Sequence, residues 1–469
     1  MFDTDVYVRR RRRLRTEINA GLVLFLGNEA VPMNYAGNLY PFWQDSSFLY
    51  YWGLDTPGLA AVIDLDEDRE ILFGHDPTVD EIVWTGPLPS LHARAARVGV
   101  TETGSREALG EVVRSAVDAG RSVHILPPYR TRHTLQLAEW LDVAQEEVAM
   151  QASEAFIEAV IAQRATKSED EVAEIETALA AAHAMHTAAM RRALPGVTEQ
   201  AVAGQMEGIA TSRGGRLSFP LIVSVRGEVL HNHPTEHVMQ EGELMLCDAG
   251  ATAPSQYASD ITRVTPVGGR FTERQRAIYD LVLTAQQNAI DAVRPGVPFR
   301  DIHLQAARDL TDGLQALGLM RGDVDEAVAA GAHALFFPHG LGHMMGLDVH
   351  DMEGLGEDRV GYGDAFERSD QFGLSALRLA RTLEPGFVLT VEPGLYFIPA
   401  LIDQWRADGK HTAFINYDRV EAYKDFGGIR IEDDVLVTRE GARVLGPSIP
   451  KEADAVEAMA AEAAKGPKP

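Results

Sequence analysis

Cysteine is almost absent from the sequence, since Cys247 is the single one among 469 residues. One thiol excludes an intrachain disulfide and is typical of proteins from a reducing compartment, so we expect a cytoplasmic protein. Cys247 lies in an apolar stretch, residues 243–250, whose alternation places it on the face opposite Asp248. The pattern therefore predicts a packed thiol and not a nucleophile.

Long hydrophobic runs are also missing. The longest early apolar stretch, residues 21–27, is far shorter than the roughly 20 residues that span a bilayer, and no cleavable signal pattern precedes it. The sequence therefore predicts neither a membrane segment nor export. We interpret this stretch as a buried β-strand.

Positive charge is scarce relative to negative charge. Lys and Arg number 43 against 69 Asp and Glu, which gives a net charge of −26. This charge disfavours binding to nucleic acid or to anionic lipid, so neither is an expected partner. The basic run Arg9–Arg13 is compatible with a nucleic-acid-binding arm, but a solvated first helix is the favoured interpretation in an acidic protein.

The length of the chain predicts two domains. A chain of 469 residues exceeds one ordinary core, and a hydrophobic content of 45% can fill two. Short apolar runs alternate with helical stretches up to about residue 158, which is an α/β pattern. Ser168 and Glu171 then have capping-box spacing before a long helical run. We therefore predict domains at residues 1–163 and 164–469.

The predicted second domain contains a short internal sequence repeat. The segment Leu194-Pro-Gly-Val197 recurs 100 residues later as Arg294-Pro-Gly-Val297, and each copy lies between two helical segments. This repeat indicates a duplicated half-domain with a pseudo-twofold site between the halves, although a Pro-Gly helix stop can also recur by chance. The chain is predicted to end in an alanine-rich helix from Glu452 and a frayed Gly466–Pro469 tail.

Acidic residues occur inside apolar strand patterns of this domain. They are Asp248, Asp260, Glu392 and Glu432, in the segments DAG, DITR, VEPG and GIRIED. The period of two also places Arg430 on the same face as Glu432, where it is expected to orient ligand carboxylates. Any one acid is compatible with a strand edge or a turn. Four together are costly to bury unless they are paired or bound to metal.

Three histidines lie within thirteen residues, in the segment HGLGHMMGLDVHD at 339–351. His339 and His343 have the spacing of the zinc-binding helix of metallopeptidases, but the intervening glutamate is absent and Gly340 and Gly342 disfavour a helix. Four carboxylates with one imidazole form a hard, oxygen-rich set that balances two divalent ions. Such a set favours manganese, cobalt or zinc over copper.

Together these motifs resemble the five-ligand signature of the aminopeptidase P and prolidase family. The resemblance runs through essentially all of the second domain. It implies an α+β protein in which an N-terminal α/β domain precedes a pseudo-twofold pita-bread catalytic domain. The implied cofactors are two divalent ions, most simply Mn²⁺, with Zn²⁺ or Co²⁺ as alternatives. The implied metal ligands are Asp248, Asp260, His343, Glu392 and Glu432.

The same resemblance implies catalytic roles. Asp260 and Glu432 are expected to bridge the ions, and Glu392 is also expected to shuttle a proton to the leaving proline nitrogen. The resemblance places His231, His339 and His350 beside the substrate.

Substrate-binding residues are also implied. Tyr396 and His339 are expected to form walls of the proline pocket, and Arg378 matches the prolidase arginine that clamps the free carboxylate of a dipeptide. One departure concerns Ser218-Phe219-Pro220, because family members often carry a tyrosine there.

The implied function is hydrolysis of the bond between an N-terminal residue and a following proline, in di- or oligopeptides. Arg378 gives a slight lean to dipeptides, and aminopeptidase P activity on longer peptides is the alternative. A non-catalytic pita-bread binding module is the rival from another class. A homodimer or homotetramer is expected. Asp45 and Trp52 then either border substrate across a dimer or belong to a core aromatic cluster.

Overall fold

A computed structural model of the protein describes residues 2–463, so the predicted Gly466–Pro469 tail lies outside the described residues. The chain divides into two compact units, Met1–Arg164 and Ala165–Pro469. The described residues contain both helices and strands, as expected for an α+β protein. None of their helices is both long and apolar enough to cross a membrane.

The first unit is built on a five-stranded mixed sheet with the order β4-β3-β2-β1-β5. The strands are β1 (Leu22–Leu26), β2 (Ala60–Asp64), β3 (Arg69–Gly74), β4 (Glu102–Ser105) and β5 (Val123–His124). The helices are α1 (Thr4–Glu17), α2 (Ser46–Trp52), α3 (Val79–Thr85), α4 (Leu91–Ala96), α5 (Ala108–Asp118), α6 (Thr131–Leu141) and α7 (Glu154–Ala165). Strand β1 is buried over Leu22–Phe25, which confirms the interpretation of the early apolar stretch as a strand.

The basic run lies on α1, and its expected solvation is wrong for two members. Arg10 and Arg11 are buried. Arg11 donates to the carbonyl oxygens of Tyr51 and Val98 at 3.0 and 2.7 Å and pairs with Glu70 at 2.8 Å. These partners replace the water molecules that would otherwise hydrate the guanidinium, so the side chain can be buried inside the unit.

Trp52 belongs to a core aromatic cluster. Its side chain is fully buried, and its ring lies 5.7 Å from that of Phe25 and 6.4 Å from that of Phe48. Asp45 precedes α2 and accepts a hydrogen bond from the backbone N–H of Phe48 at 2.8 Å, as an N-cap does. Of the two alternatives for these residues, the core cluster is therefore confirmed for Trp52.

The second unit contains two three-stranded antiparallel sheets and one strand pair. One sheet has the order β6-β7-β8, the other β13-β12-β9, and β10 pairs with β11. The strands are β6 (Ile222–Ser224), β7 (Leu244–Asp248), β8 (Thr262–Pro266), β9 (Val388–Val391), β10 (Gly394–Tyr396), β11 (Gly428–Arg430), β12 (Asp433–Val437) and β13 (Ala442–Val444). The helices are α8 (Glu169–Arg192), α9 (Glu199–Ser212), α10 (Glu273–Ala292), α11 (Phe299–Ala316), α12 (Val324–Ala329), α13 (Glu357–Gly361), α14 (Pro399–Ala407), α15 (Tyr417–Val420) and α16 (Ala453–Ala463).

The two Pro-Gly-Val segments adopt the same turn. Gly196 and Gly296 have φ values of 87° and 83°, a left-handed region that glycine enters without strain. The first turn joins α8 to α9, and the second joins α10 to α11. The N–H of Gly196 donates to the Met239 carbonyl oxygen and that of Gly296 to the Leu383 carbonyl oxygen, each at 2.9 Å. Both acceptors lie beyond the second helix of their pair. Each half thus combines a helix pair with a three-stranded sheet, as the predicted duplication requires.

Local signals at the start of the unit and around Cys247 are also confirmed. Ser168 and Glu171 form a reciprocal capping box before α8. Cys247 is buried in an apolar cluster, with Sγ 3.5 Å from Sδ of Met206. Burial raises the pKa of this thiol, which suits a packed residue and not a nucleophile.

A buried ion pair connects the beginning of this unit to the histidine-rich segment. Lys167 Nζ donates to Asp351 Oδ2 at 2.8 Å, and both side chains are about 1% exposed. Asp351 also accepts from the backbone N–H of Asp348 at 3.3 Å, and its own N–H donates to the carbonyl of Met344. The pair therefore holds the loop that carries His350 against the segment before α8.

We expect Lys167→Met to destabilise this unit by about 3–5 kcal/mol, because it removes the ammonium group that pairs with the buried Asp351 carboxylate. The melting temperature measured by calorimetry should fall by several degrees. Arg443→Met is the matched control, because Arg443 pairs with Glu176 on the surface, where an ion pair contributes at most about 1 kcal/mol. Equal, small shifts in the two variants would contradict the structural role of Lys167.

Candidate metal centre

The four strand-borne acids lie at equivalent strand ends in the two halves of the second unit. Asp248 is the last residue of β7, and Glu392 directly follows β9. Asp260 lies just before β8, and Glu432 lies just before β12. Since β7 pairs with β8 and β9 with β12, and Thr262 bridges to Glu432, all four carboxylates come to one place.

These acids and His343 line one cavity of about 600 Å³. His343 Nε2 lies 3.5 Å from Asp260 Oδ2 and 3.8 Å from Glu392 Oε1. Ligand atoms of Asp260, His343 and Glu432 all lie within 4.8 Å of one another. His343 Nδ1 lies 3.1 Å from the Met344 carbonyl oxygen, so a proton on Nδ1 leaves the Nε2 lone pair facing the carboxylates.

The cluster carries more negative charge than the surrounding residues compensate. Asp248 Oδ1 and Asp260 Oδ1 are buried, and no partner for either atom occurs among the described residues. Burial, reinforced by Asp248 and other neighbouring carboxylates, raises the pKa of Asp260 well above its usual range. Burial and the carboxylate of Asp260 do the same to the pKa of Glu432. Divalent cations would supply the missing charge, so the donor set fits a metal centre.

Arg430 holds two of these carboxylates in place. Its Nη2 donates to Asp248 Oδ2, and its Nε donates to Thr262 Oγ1 at 3.0 Å. Thr262 Oγ1 in turn donates to Glu432 Oε2 at 2.6 Å. Arg430 therefore contacts a candidate ligand directly and orients another through Thr262. Thr262 is not among the site residues predicted from the sequence, although it lies two residues after Asp260 in the DITR segment.

His339 lines the cavity, but Tyr396 does not lie beside it on the cavity surface. Tyr396 is fully buried and is absent from the described residues that line the cavity, so it supports the wall instead of forming it. Its hydroxyl lies 2.8 Å from His339 Nε2 and accepts from Arg430 Nη1 at 2.9 Å. Burial and the charge of Arg430 lower the pKa of His339 to about 3. A neutral His339 thus accepts from Tyr396 and donates through Nδ1 to the Gly340 carbonyl oxygen at 2.8 Å.

His231 and His350 also line the cavity. The His350 ring lies 4.1 Å from that of His343, and its Nδ1 lies 3.2 Å from Glu353 Oε2. Burial and the neighbouring His343 lower the pKa of His350. Desolvation and the charge of Arg430 lower the pKa of His231. The surroundings of both rings therefore favour the neutral form, and both face the same space as the candidate ligands.

Arg378 lies on the cavity lining and is engaged in ion pairs. Its Nη1 donates to Glu353 Oε2 at 2.6 Å and to Glu357 Oε2 at 2.9 Å. Its side chain is 35% exposed. The arginine is thus both a cavity residue and a member of an acidic cluster. Glu353 is not among the residues predicted from the sequence, because no local pattern distinguishes this glutamate from its neighbours.

An apolar wall completes the cavity. It includes Phe219, Pro220, Ile222 and Leu230. The first two belong to the segment that departs from the family pattern, in which Ser218 Oγ donates to the Ser259 carbonyl oxygen at 2.9 Å. The departing segment therefore contributes apolar surface to the site, which suits a largely hydrocarbon ring such as that of proline.

We expect Asp248→Ala and Glu432→Ala to lose divalent metal, because each substitution removes a carboxylate ligand from a small, charge-balanced set. The measurement is elemental analysis of the purified proteins after dialysis against manganese. Wild-type protein and Glu243→Ala, which alters a half-buried carboxylate paired with His237, provide the controls. Full retention of metal in both variants would remove these carboxylates from the ligand set.

Comparisons with known proteins identify the family of this chain. Residues 173–439 match the family model of metallopeptidase family M24, and residues 7–125 match that of the aminopeptidase P N-terminal domain. The human Xaa-Pro dipeptidase is 31% identical over 462 residues, covering 96% of this chain and 91% of the relative. The Xaa-Pro aminopeptidase of Escherichia coli K12 is 30% identical over 475 residues, covering 98% of each.

Solved structures give the same result. The Pseudomonas aeruginosa aminopeptidase PepP has a TM-score of 0.82 at 27% identity, with 99% of both chains covered. Zinc-substituted E. coli aminopeptidase P in complex with product has a TM-score of 0.81 at 29% identity, covering 99% of this chain and 100% of the other. These matches confirm the predicted N-terminal α/β domain and the pita-bread domain. The chain therefore belongs to metallopeptidase family M24, within its aminopeptidase P and prolidase group.

Proposed function

We propose that this protein is a metal-dependent exopeptidase that hydrolyses the bond between an N-terminal residue and a following proline. The observation that carries the proposal is the cluster of four strand-end carboxylates and His343 in one cavity with an apolar wall. Relatives named Xaa-Pro dipeptidase and Xaa-Pro aminopeptidase, each about as similar to this chain, support the same reaction.

Five residues form the proposed metal site. They are Asp248, Asp260, His343, Glu392 and Glu432, and they hold two divalent ions, of which Mn²⁺ suits the oxygen-rich set best and Zn²⁺ or Co²⁺ are alternatives. When bound, such ions lower the pKa of water enough to supply hydroxide near neutral pH. Asp260 and Glu432, whose carboxylates have pKa values raised well above the usual range, would gain the most from the charge that the ions supply.

The protein's own residues then move the proton and hold the substrate. Burial raises the pKa of Glu392, which suits a carboxylate that takes a proton from water and passes it to the leaving proline nitrogen. His231 or His350 contacts the scissile carbonyl oxygen, where negative charge develops. Glu353 restrains the His350 ring through Nδ1.

Proline is accepted because the site recognises the shape of the proline ring. The bond before proline has no N–H, so an enzyme cannot select this bond through a backbone donor at that position. Phe219, Ile222 and Leu230 provide apolar surface for the ring. His339, held by Tyr396, closes another side of the cavity.

The residues around Arg378 are consistent with two different preferences for substrate length. Arg378 on the cavity lining supports a slight preference for dipeptides, because a guanidinium can bind their terminal carboxylate. Its ion pairs with Glu353 and Glu357 favour the alternative, aminopeptidase P activity on longer peptides. A non-catalytic binding module is less consistent with the complete donor set, since binding alone does not require five converging metal ligands.

We also propose a homodimer or homotetramer in the cytoplasm. Helix α3 has no buried residue, and Val79, Val83 and Trp84 on it are each more than 70% exposed. An apolar helix surface of this kind suits contact with a second copy of the chain. The single buried cysteine is compatible with a reducing compartment.

Manganese-loaded protein should hydrolyse both Ala-Pro and Ala-Pro-Ala-Pro, releasing alanine, and a chelator should abolish the reaction. The measurement is free alanine by chromatography, and Ala-Ala-Ala is the control substrate, which should be cleaved far more slowly. Failure to cleave either proline peptide with manganese, zinc or cobalt, despite full metal content, would favour the binding module.

His350→Ala and His231→Ala should retain metal while losing turnover, because these side chains contact the substrate and not an ion. The expected loss in kcat is about a hundredfold or more for each contact to the developing oxyanion. His237→Ala, which alters an exposed histidine paired with Glu243, should keep wild-type turnover. A metal-free but folded His350→Ala or His231→Ala protein would contradict this division of the histidines.

A further inference from the structure

One carboxylate at the edge of the cavity connects two cavity-lining side chains. Glu353 Oε2 accepts from Arg378 Nη1 at 2.6 Å and lies 3.2 Å from His350 Nδ1. Glu353 opens a 3₁₀ helix that follows Met352, whose φ of 65° is uncommon for a residue with a side chain. A backbone held in this conformation indicates that the surrounding structure fixes the position of Glu353.

The charge of Arg378 is already neutralised by its neighbours. Glu357 accepts from the same nitrogen as Glu353, at 2.9 Å. Arg368 donates to Glu357 and, at 2.8 Å, to Asp358. Within this cluster two arginines therefore face three carboxylates. An incoming anion would therefore compete with carboxylates that already bind Nη1 of the guanidinium.

Arg378 is nevertheless the cation that a substrate carboxylate can reach. In the described part of the chain, two arginines line the cavity, Arg378 and Arg430. Arg430 is buried and committed to Asp248, Thr262 and Tyr396. Arg378 is 35% exposed, so it is the open one of the two. A dipeptide ends in a carboxylate after proline, whereas a longer peptide has a neutral amide there.

We infer that Glu353 is a positioning residue that sets the preference between a free carboxylate and a neutral amide after the proline. It does so by sharing Arg378, which weakens the attraction of this arginine for a terminal carboxylate. Through the same oxygen it restrains His350, so the two side chains are coupled. The inference rests on the proposed exopeptidase function and names a determinant of its substrate length.

The test compares Ala-Pro with Ala-Pro-NH₂, which have the same length and differ in the terminal charge. Glu353→Gln keeps the size of the side chain and an acceptor oxygen but removes the negative charge. In the manganese-loaded full-length enzyme, the ratio of kcat/KM for Ala-Pro to that for Ala-Pro-NH₂ should rise about tenfold, mainly through KM for Ala-Pro. Any loss in kcat caused by a less restrained His350 affects both substrates and cancels in the ratio.

Two further variants separate this role from a general structural effect. Glu357→Gln releases Arg378 from its other carboxylate, so it should also raise the ratio, mainly through KM for Ala-Pro. Glu353→Asp keeps the charge on a shorter side chain and should stay within about threefold of the wild-type ratio.

A double-variant cycle identifies the arginine as the intermediary. Arg378→Ala alone should lower kcat/KM about ten- to a hundredfold on Ala-Pro and little on Ala-Pro-NH₂. In the Arg378→Ala background, Glu353→Gln should no longer change the ratio. An unchanged ratio in Glu353→Gln, or a rise that persists without Arg378, would overturn the inference. If the wild-type enzyme cleaves neither substrate, the proposed function itself fails.

Discussion

The mutual repulsion of four carboxylates in one cavity is the constraint on which the second unit depends. Asp248, Asp260, Glu392 and Glu432 approach one another in a space where water cannot screen them well, and Arg430 offsets part of this charge. The negative charge of such a cluster must be neutralised by cations or by protons. The raised pKa values of Asp260 and Glu432 reflect this requirement. Two divalent ions meet the demand without protonation.

The duplicated architecture explains how these acids are brought together. Each half offers two antiparallel strands whose adjoining ends carry one acid each, and bridge pairing of Thr262 with Glu432 joins the halves at that point. Rigid strands fix the carboxylates more firmly than loops would. The histidines come from loops around the cluster: His343 is a proposed metal ligand, whereas His231, His339 and His350 are proposed to lie beside the substrate.

The inner and outer parts of the cavity differ in how firmly their charges are held. Near the metal cluster, Arg430, Thr262 and Tyr396 are buried and form a continuous set of hydrogen bonds that fixes Asp248, Glu432 and His339. Toward the opening, Arg378 forms ion pairs with Glu353 and Glu357, and all three side chains are partly exposed. The buried layer is thus held by many hydrogen bonds, whereas the proposed determinants of peptide selectivity are partly exposed charges.

The sequence by itself determined the features that local periodicity and capping chemistry encode. Alternation predicted Cys247 as a packed thiol and Asp248 on the opposite face, spacing predicted the capping box at Ser168, and the motifs identified the family. Tertiary structure alone decided which distant groups meet. Arg11 is buried because carbonyls 40 and 87 residues away satisfy it, and Lys167 meets Asp351 across 184 residues. Periodicity assigns a side chain to a face of its own helix or strand, whereas the partner of that side chain depends on how the elements pack. For this reason the sequence could not predict that Tyr396 lies behind His339 or that Glu353 contacts Arg378.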